Sequence, residues 1–183
     1  QKFYRINGGA TQLKGVASDL VLPDAYTYMD IGEKELDNYM PWDEIPPVLY
    51  TKSTAVTNLD NIKKKSEARI KQKEVFKLIE ENAARFQNQK NNTIYPLNID
   101  KFREKSDKIK KEAEKFKDIQ KDTTGLAVEY IKPDYLMIKS DSARLERDEN
   151  WHNNLKKDAY LMEAMEVLKD MYISITGRLP DNN

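Results

Sequence analysis

The sequence predicts an α+β fold in which helix dominates: an N-terminal β-hairpin with one further short strand, then a helical domain of about three main helices. Three observations carry this. Phe76, Ile79, Ala83 and Phe86 fall at i, i+3, i+7 and i+10, which is one helical face. Phe102, Ile109 and Phe116 recur every seven residues on a Lys/Glu-rich background, a narrow apolar stripe suited to one partner helix. Phe3-Tyr4-Arg5-Ile6 is aromatic and β-branched and runs into Asn7-Gly8-Gly9, residues that tolerate the positive φ of a hairpin turn.

Residues 2–23 are read as β. Thr11-Gln12-Leu13 supplies the returning arm, and Leu20-Val21-Leu22 is a short strand stopped by Pro23. A hairpin plus one strand does not hold itself together in water, so this segment must pack on something else. Residues 24–59 hold seven acidic and two basic residues, with Tyr26, Tyr28, Tyr39, Trp42 and Tyr50 as anchors. Pro41, Pro46 and Pro47 forbid long helix there, although 32–38 can make a short one; the segment reads as an ordered strap. One helix is expected over 58–90, an extended link at 94–98, and a second helix over 99–121. Asp122-Thr123-Thr124-Gly125 marks a break. Residues 126–131 read as strand or strap closed by Pro133, and 141–151 as a loop or frayed helix. The last helix spans 155–175, with Leu155, Ala159, Met162, Met165, Leu168 and Tyr172 as its inner stripe and Gly177 as its C-cap. The division is therefore 1–23, 24–59 and 60–183.

The chain has 183 residues, 34% of them charged, 39% apolar and 17 aromatic, with mean hydropathy −0.82. It is long enough for one core and too apolar for full disorder. Its net charge is zero, yet residues 60–121 hold 18 basic and 11 acidic residues, a surplus of +7 balanced by −7 elsewhere. Overall neutrality argues against a dedicated nucleic-acid binder. The absence of cysteine removes disulfides and thiolate chemistry, and a single histidine cannot build a multi-His zinc site. No window approaches 18 apolar residues, so no membrane span is expected in this segment. The chain opens on Gln1 directly into a strand-like run, as expected for a piece excised from a larger protein.

Each chemistry-bearing cluster has a structural explanation. His152 lacks partners at ligand spacing and reads as a surface or capping residue. Lys63-Lys64-Lys65 with Lys71 and Lys73 reads as a solvated face, with docking on the acidic strap as the sharper alternative. Asp43-Glu44 and Glu80-Glu81 are neighbours whose side chains diverge, unlike carboxyls set across a cleft. Ser53, Ser66 and Ser106 lie beside Lys52, Lys65 and Lys105, but an exposed lysine keeps a pKa near ~10.4 and is a poor base. Trp42 with Pro41 reads as an anchor of the strap, and the Phe102/Ile109/Phe116 stripe as a seam against the 70–90 helix.

The run QKFYRINGGATQLKGVASDLVLPD resembles the end of the catalytic domain of carboxy-terminal processing proteases. Phe3-Tyr4, Gly8-Gly9, Gln12, Lys14-Gly15-Val16 and Asp19-Leu20-Val21-Leu22-Pro23 carry the likeness, with Ala17-Ser18 where Thr-Pro is usual. PWDEI at 41–45 with Tyr50-x-Lys52, ARI at 68–70, ARF at 84–86 and the Pro-Leu-Asn link ending at Asn98 resemble the strap and helical domain of the tail-specific subgroup. These motifs cover residues 1–105; the last helix, from Ala159, matches more weakly, and 106–155 is placed by order.

The resemblance implies a periplasmic or cell-envelope serine endopeptidase that selects proteins by apolar C-termini through a PDZ domain and uses a lysine as general base. Those residues lie upstream of this segment, and none of their motifs occurs here. No catalytic, cofactor-binding or metal-ligating residue is therefore assigned, no cofactor is implied, and the segment alone is expected to be inactive. The resemblance implies that it braces the upstream protease and PDZ domains and the substrate chamber. A stand-alone helical protein-interaction module is the alternative; it would sandwich residues 3–22 in its own core.

Overall fold

The computed structural model describes residues 1–51, 58–117, 119 and 125–180. Six helices occur among them: α1 (Leu59–Gln72), α2 (Glu74–Asn91), α3 (Ile99–Glu114), α4 (Lys132–Ile138), α5 (Ser142–Leu155) and α6 (Ala159–Thr176). This is twice the expected number, for local reasons. The single helix expected over 58–90 is broken at Lys73, whose backbone turns extended at φ −77°, ψ 121°. Pro133 begins α4 where it was expected to end a strap; in the first turn its missing N–H is no loss. The 141–151 stretch is the body of α5, capped by Asp141, whose carboxylate accepts from the Arg144 N–H at 3.0 Å.

The N-terminal hairpin does not form as a strand pair. Tyr4 and Ala10 share one isolated antiparallel bridge around a turn closed by Gly8 N–H to Arg5 O, and no strand occurs among the described residues. Thr11 pairs back to Phe3, but the chain then enters a second turn at Leu13 (φ 60°), so Thr11-Gln12-Leu13 does not continue as a returning strand, and 20–22 is likewise irregular. Arg5 N–H donates to Gly9 O and Thr11 N–H to Phe3 O, both at 2.9 Å, and the strap bonds to the groups this short turn leaves over. Ala10 N–H donates to Asp43 O, Ile45 N–H to Gly8 O and Val48 N–H to Ile6 O, at 2.9–3.1 Å. A Cβ on Gly8 (φ +87°) would lie 2.0 Å from Ile45 O, so this approach requires glycine.

The core joins α2 and α6. Phe76, Ile79 and Ala159 are buried together, with Ile70, Val75 and Ile119 against them, and Phe76 meets Tyr160 edge-on at 5.9 Å. α1 packs on α2 and α6, and α4 on α5. Asp158 caps α6 by accepting from the Tyr160 and Leu161 N–H groups, and Gly177 ends it in the left-handed region. Tyr160 also donates to Pro23 O at 2.8 Å, tying the start of the strap to α6.

The core is small for the chain. The protein exposes 14700 Å², against about 9100 Å² for a compact monomer of its mass.

α6 shows why. Its inner face is acidic, formed by buried Glu163 and Asp170, seven residues apart. Met165, Leu168, Tyr172 and Ile175 fall at i, i+3, i+7 and i+10 on the opposite face and stand in solvent. Of the stripe expected to be internal, only Ala159 is buried outright, Leu155 and Met162 are half-buried, and Met165, Leu168 and Tyr172 are exposed.

Candidate functional site

The most ordered polar constellation is a seam between α1 and α6. Ser66, Arg69 and Lys73 recur at three- and four-residue steps and so share one face of α1 as it runs into the break. Ser66 Oγ and Arg69 Nε both donate to Glu163 Oε1 at 2.9 Å, and Lys73 Nζ donates to Oε2 at 3.0 Å. Two turns further along α6, Arg69 Nη1 reaches Asp170 Oδ2 at 2.7 Å and Lys65 Nζ reaches Oδ1 at 2.9 Å. Burial works to lower the Arg69 pKa, but its bonds to Asp170 and Glu163 outweigh burial and raise it. Burial likewise works to raise the Asp170 pKa, and donation from Lys65 and Arg69 outweighs it, so the carboxyl titrates below its usual range.

This seam is structural chemistry. Ser66 has no exposed surface and its proton is committed to a carboxylate, while its neighbour Lys65 is paired with Asp170. A Ser/Lys nucleophile needs the opposite: an accessible hydroxyl facing a neutral amine. Lys105 turns to Ile94 O and Asn92, away from Ser106. Ser53 and Lys52 lie outside the described residues.

His152 is not at the surface. It is buried within α5, its ring 4.1 Å from that of Tyr130 and 5.4 Å from that of Trp151. Of the lysine tract, Lys65 and Lys73 are held in the seam and Lys63 lies 3.9 Å from Asp19, so it is only partly a solvated face. The acidic partner of the basic helix α1 is α6; the strap contributes Asp30, paired with Lys90 at 2.9 Å.

Asp43 is taken by Lys2 and Tyr4, and Glu81 by Lys115, so neither carboxylate pair faces a shared cleft. Donation from Lys2 lowers the Asp43 pKa, and Tyr4 adds to it. Trp42 anchors the strap: its indole N–H donates to Ala10 O at 3.0 Å, and Lys14 Nζ stands 3.4 Å from its ring centre. The Phe102/Ile109/Phe116 stripe does not close a seam. Ile109 and Phe116 line an open groove against α2, while Phe102 sits partly exposed beside Tyr95.

The ionic seam was missed from the sequence, although a signal existed. Glu163 and Asp170 interrupt the apolar pattern of α6 at a heptad interval, and Ser66, Arg69 and Lys73 match them on α1.

The described residues thus present a polar seam whose carboxylates are fully engaged, with Arg69 Nη2 buried and without a partner among the described residues, and Ser66 and Ser106 lack a basic partner at their hydroxyls. A family profile described as the C-terminal domain of tail specific protease matches residues 26–172, most of the chain. The chain belongs to that family. Consistently, it is 31% identical over 156 residues to the Tail-specific protease of Haemophilus influenzae, an alignment covering 77% of this chain and 22% of that protein. The chain therefore spans about a fifth of the length of this curated relative. No solved structure matches. As the C-terminal domain of a tail-specific protease, the chain fits a larger protein with further domains upstream. No helix among the described residues is long and apolar enough to cross a membrane.

Proposed function

We propose that this chain is the non-catalytic C-terminal region of a serine endopeptidase acting in the periplasm or cell envelope, where it braces the protease core and helps wall the chamber that holds substrate. The intact enzyme would select proteins by apolar C-termini through its PDZ domain and cut them with a Ser/Lys pair upstream of this chain. Residues 1–23 would be the last part of the protease domain, 24–59 the strap and 60–183 the helical domain.

The observation that carries the bracing role is the inverted face of α6. A helix that buries Glu163 and Asp170 while showing Met165, Leu168, Tyr172 and Ile175 to water is built to be covered on its apolar side. Exposed Phe3, Ile6, Val16 and Val21 repeat the pattern at the other end of the chain, where a self-contained module would have enclosed them.

The experiment is a double substitution, Leu168→Asp with Tyr172→Asp, made in the intact protease and in the 183-residue chain. Both positions are exposed, so the chain alone should melt within a few degrees of the parent. The intact protease should lose thermal stability and cleave an unfolded protein with an apolar C-terminus at least several-fold more slowly. Unchanged melting and cleavage of the intact protease would refute the bracing role.

A further inference from the structure

α3 and α2 lie side by side without closing on each other. Between them runs an open groove of about 1110 Å³, above the usual size of a small-molecule pocket. Its floor is apolar, formed by Ala84, Ile109 and Phe116. Its walls carry five cations, Arg85, Lys105, Lys108, Lys111 and Lys115, against two carboxylates, Glu81 and Glu112.

The cations fall into two sets. Lys115 is paired with Glu81, Lys105 donates to Ile94 O beside the Tyr95 ring, and Arg85 is held by Asn82 and lies over the Phe86 and Phe116 rings. Lys108 and Lys111 are exposed and have no ion-pair partner among the described residues.

We propose that the α2–α3 groove docks an extended polypeptide segment that carries carboxylates and at least one apolar side chain. Carboxylates meet Lys108 and Lys111, and the apolar side chain lies on Ile109 and Phe116. The groove follows α2 from Glu81 to Asn92, roughly 16 Å, which about five extended residues span. The observations favour a polypeptide over nucleic acid. Glu81 and Glu112 stand among the groove's cations and interrupt the basic track that a phosphate backbone would follow.

The test is fluorescence anisotropy of the 183-residue chain with three labelled probes. These are a ten-residue peptide with four glutamates and two leucines, the same peptide with lysines for the glutamates, and a ten-nucleotide oligo-dT. The first should bind, at least tenfold more tightly than the other two, and weaken on raising salt from 50 to 300 mM. Lys108→Glu with Lys111→Glu, both on the exposed face of α3, should weaken it at least tenfold, with the circular dichroism unchanged. Absent or charge-indifferent binding, equal binding of the oligonucleotide, or no effect of the lysine reversal would overturn the proposal. So would a concentration-dependent dimer, seen by sedimentation and abolished by the lysine reversal, because the occupant would then be a second copy. The readout uses the chain without the rest of the protease, so its failure leaves the bracing role standing.

Discussion

Arg69 on α1 and Asp170 on α6, 101 residues apart in the chain, meet at 2.7 Å through Nη1 and Oδ2. Through the same guanidinium Asp170 is linked to Glu163, so one arginine fixes the register of two helices. The Coulomb gain of such a seam is largely offset by the cost of taking the charges out of water. Its value lies in what happens when one member is removed.

Glu163→Leu should therefore be severe. It leaves Lys73 without a counter-charge, Ser66 without an acceptor and Arg69 with Asp170 alone, and costs about 3–5 kcal/mol. At about 2–4 °C per kcal/mol for a chain of this size, calorimetry should show a drop of roughly 10 °C. Ser66→Ala removes only a neutral donor to that carboxylate and should cost about 2 kcal/mol. Equal effects of the two substitutions would contradict the placement of Glu163 at the hub.

Acid should dissolve the same seam. Because Asp170 has a folded pKa below its unfolded value near ~3.9, its contribution is fully present above that unfolded value and is lost as pH falls through the folded one. Urea unfolding at pH 7 and pH 2.5 should show Asp170→Asn clearly weaker than the parent at the first and nearly equal to it at the second. A gap that stays constant over this range would show that Asp170 is not paired in the folded chain.

Salt should act on the charge segregation. The pairs Lys90–Asp30, Lys115–Glu81 and Lys63–Asp19 are exposed or partly so, and screening shortens from about 10 Å at 0.1 M to 3 Å at 1 M. Raising salt from 50 to 500 mM should lower the melting temperature by a few degrees. No change, or a rise, would remove electrostatic docking from the description of the fold.

Gly8 can be tested by adding one methyl group. In Gly8→Ala the Cβ meets Ile45 O and a positive φ is imposed on alanine, so the strap should part from the 4–10 turn. In a Trp151→Phe background Trp42 is the sole indole, and acrylamide should quench its fluorescence markedly more in the Gly8→Ala variant. Unchanged quenching would show that the turn and the strap tolerate separation without releasing Trp42.

Features written into a few adjacent residues were legible. The Phe76/Ile79/Ala83 face is buried, Gly177 caps α6 and Trp42 anchors the strap, because spacing, positive φ and one indole donor act locally. Features decided by distant partners were not. Asn7-Gly8-Gly9 makes its turn, but whether a strand or a strap pairs with it depends on residues 43–48. The Lys73 break is followed by a side chain that reaches Glu163, ninety residues on. The α6 stripe was read as internal because apolar spacing reveals a face, while which face turns inward was settled by Arg69 and Ser66 on another helix. The lack of a catalytic assignment followed from the motifs alone, and Ser66 is now accounted for as the donor to Glu163.

The proposed bracing role requires the outer face of α6 to be covered by the rest of the protease. The chain has no cysteine, so Leu168→Cys introduces one thiol on that face. Its alkylation rate, read by mass spectrometry on the peptide that contains it, should fall at least tenfold in the intact protease relative to the 183-residue chain. Equal rates in the two would mean that this face stays open to solvent in the intact protease and that α6 does not brace it.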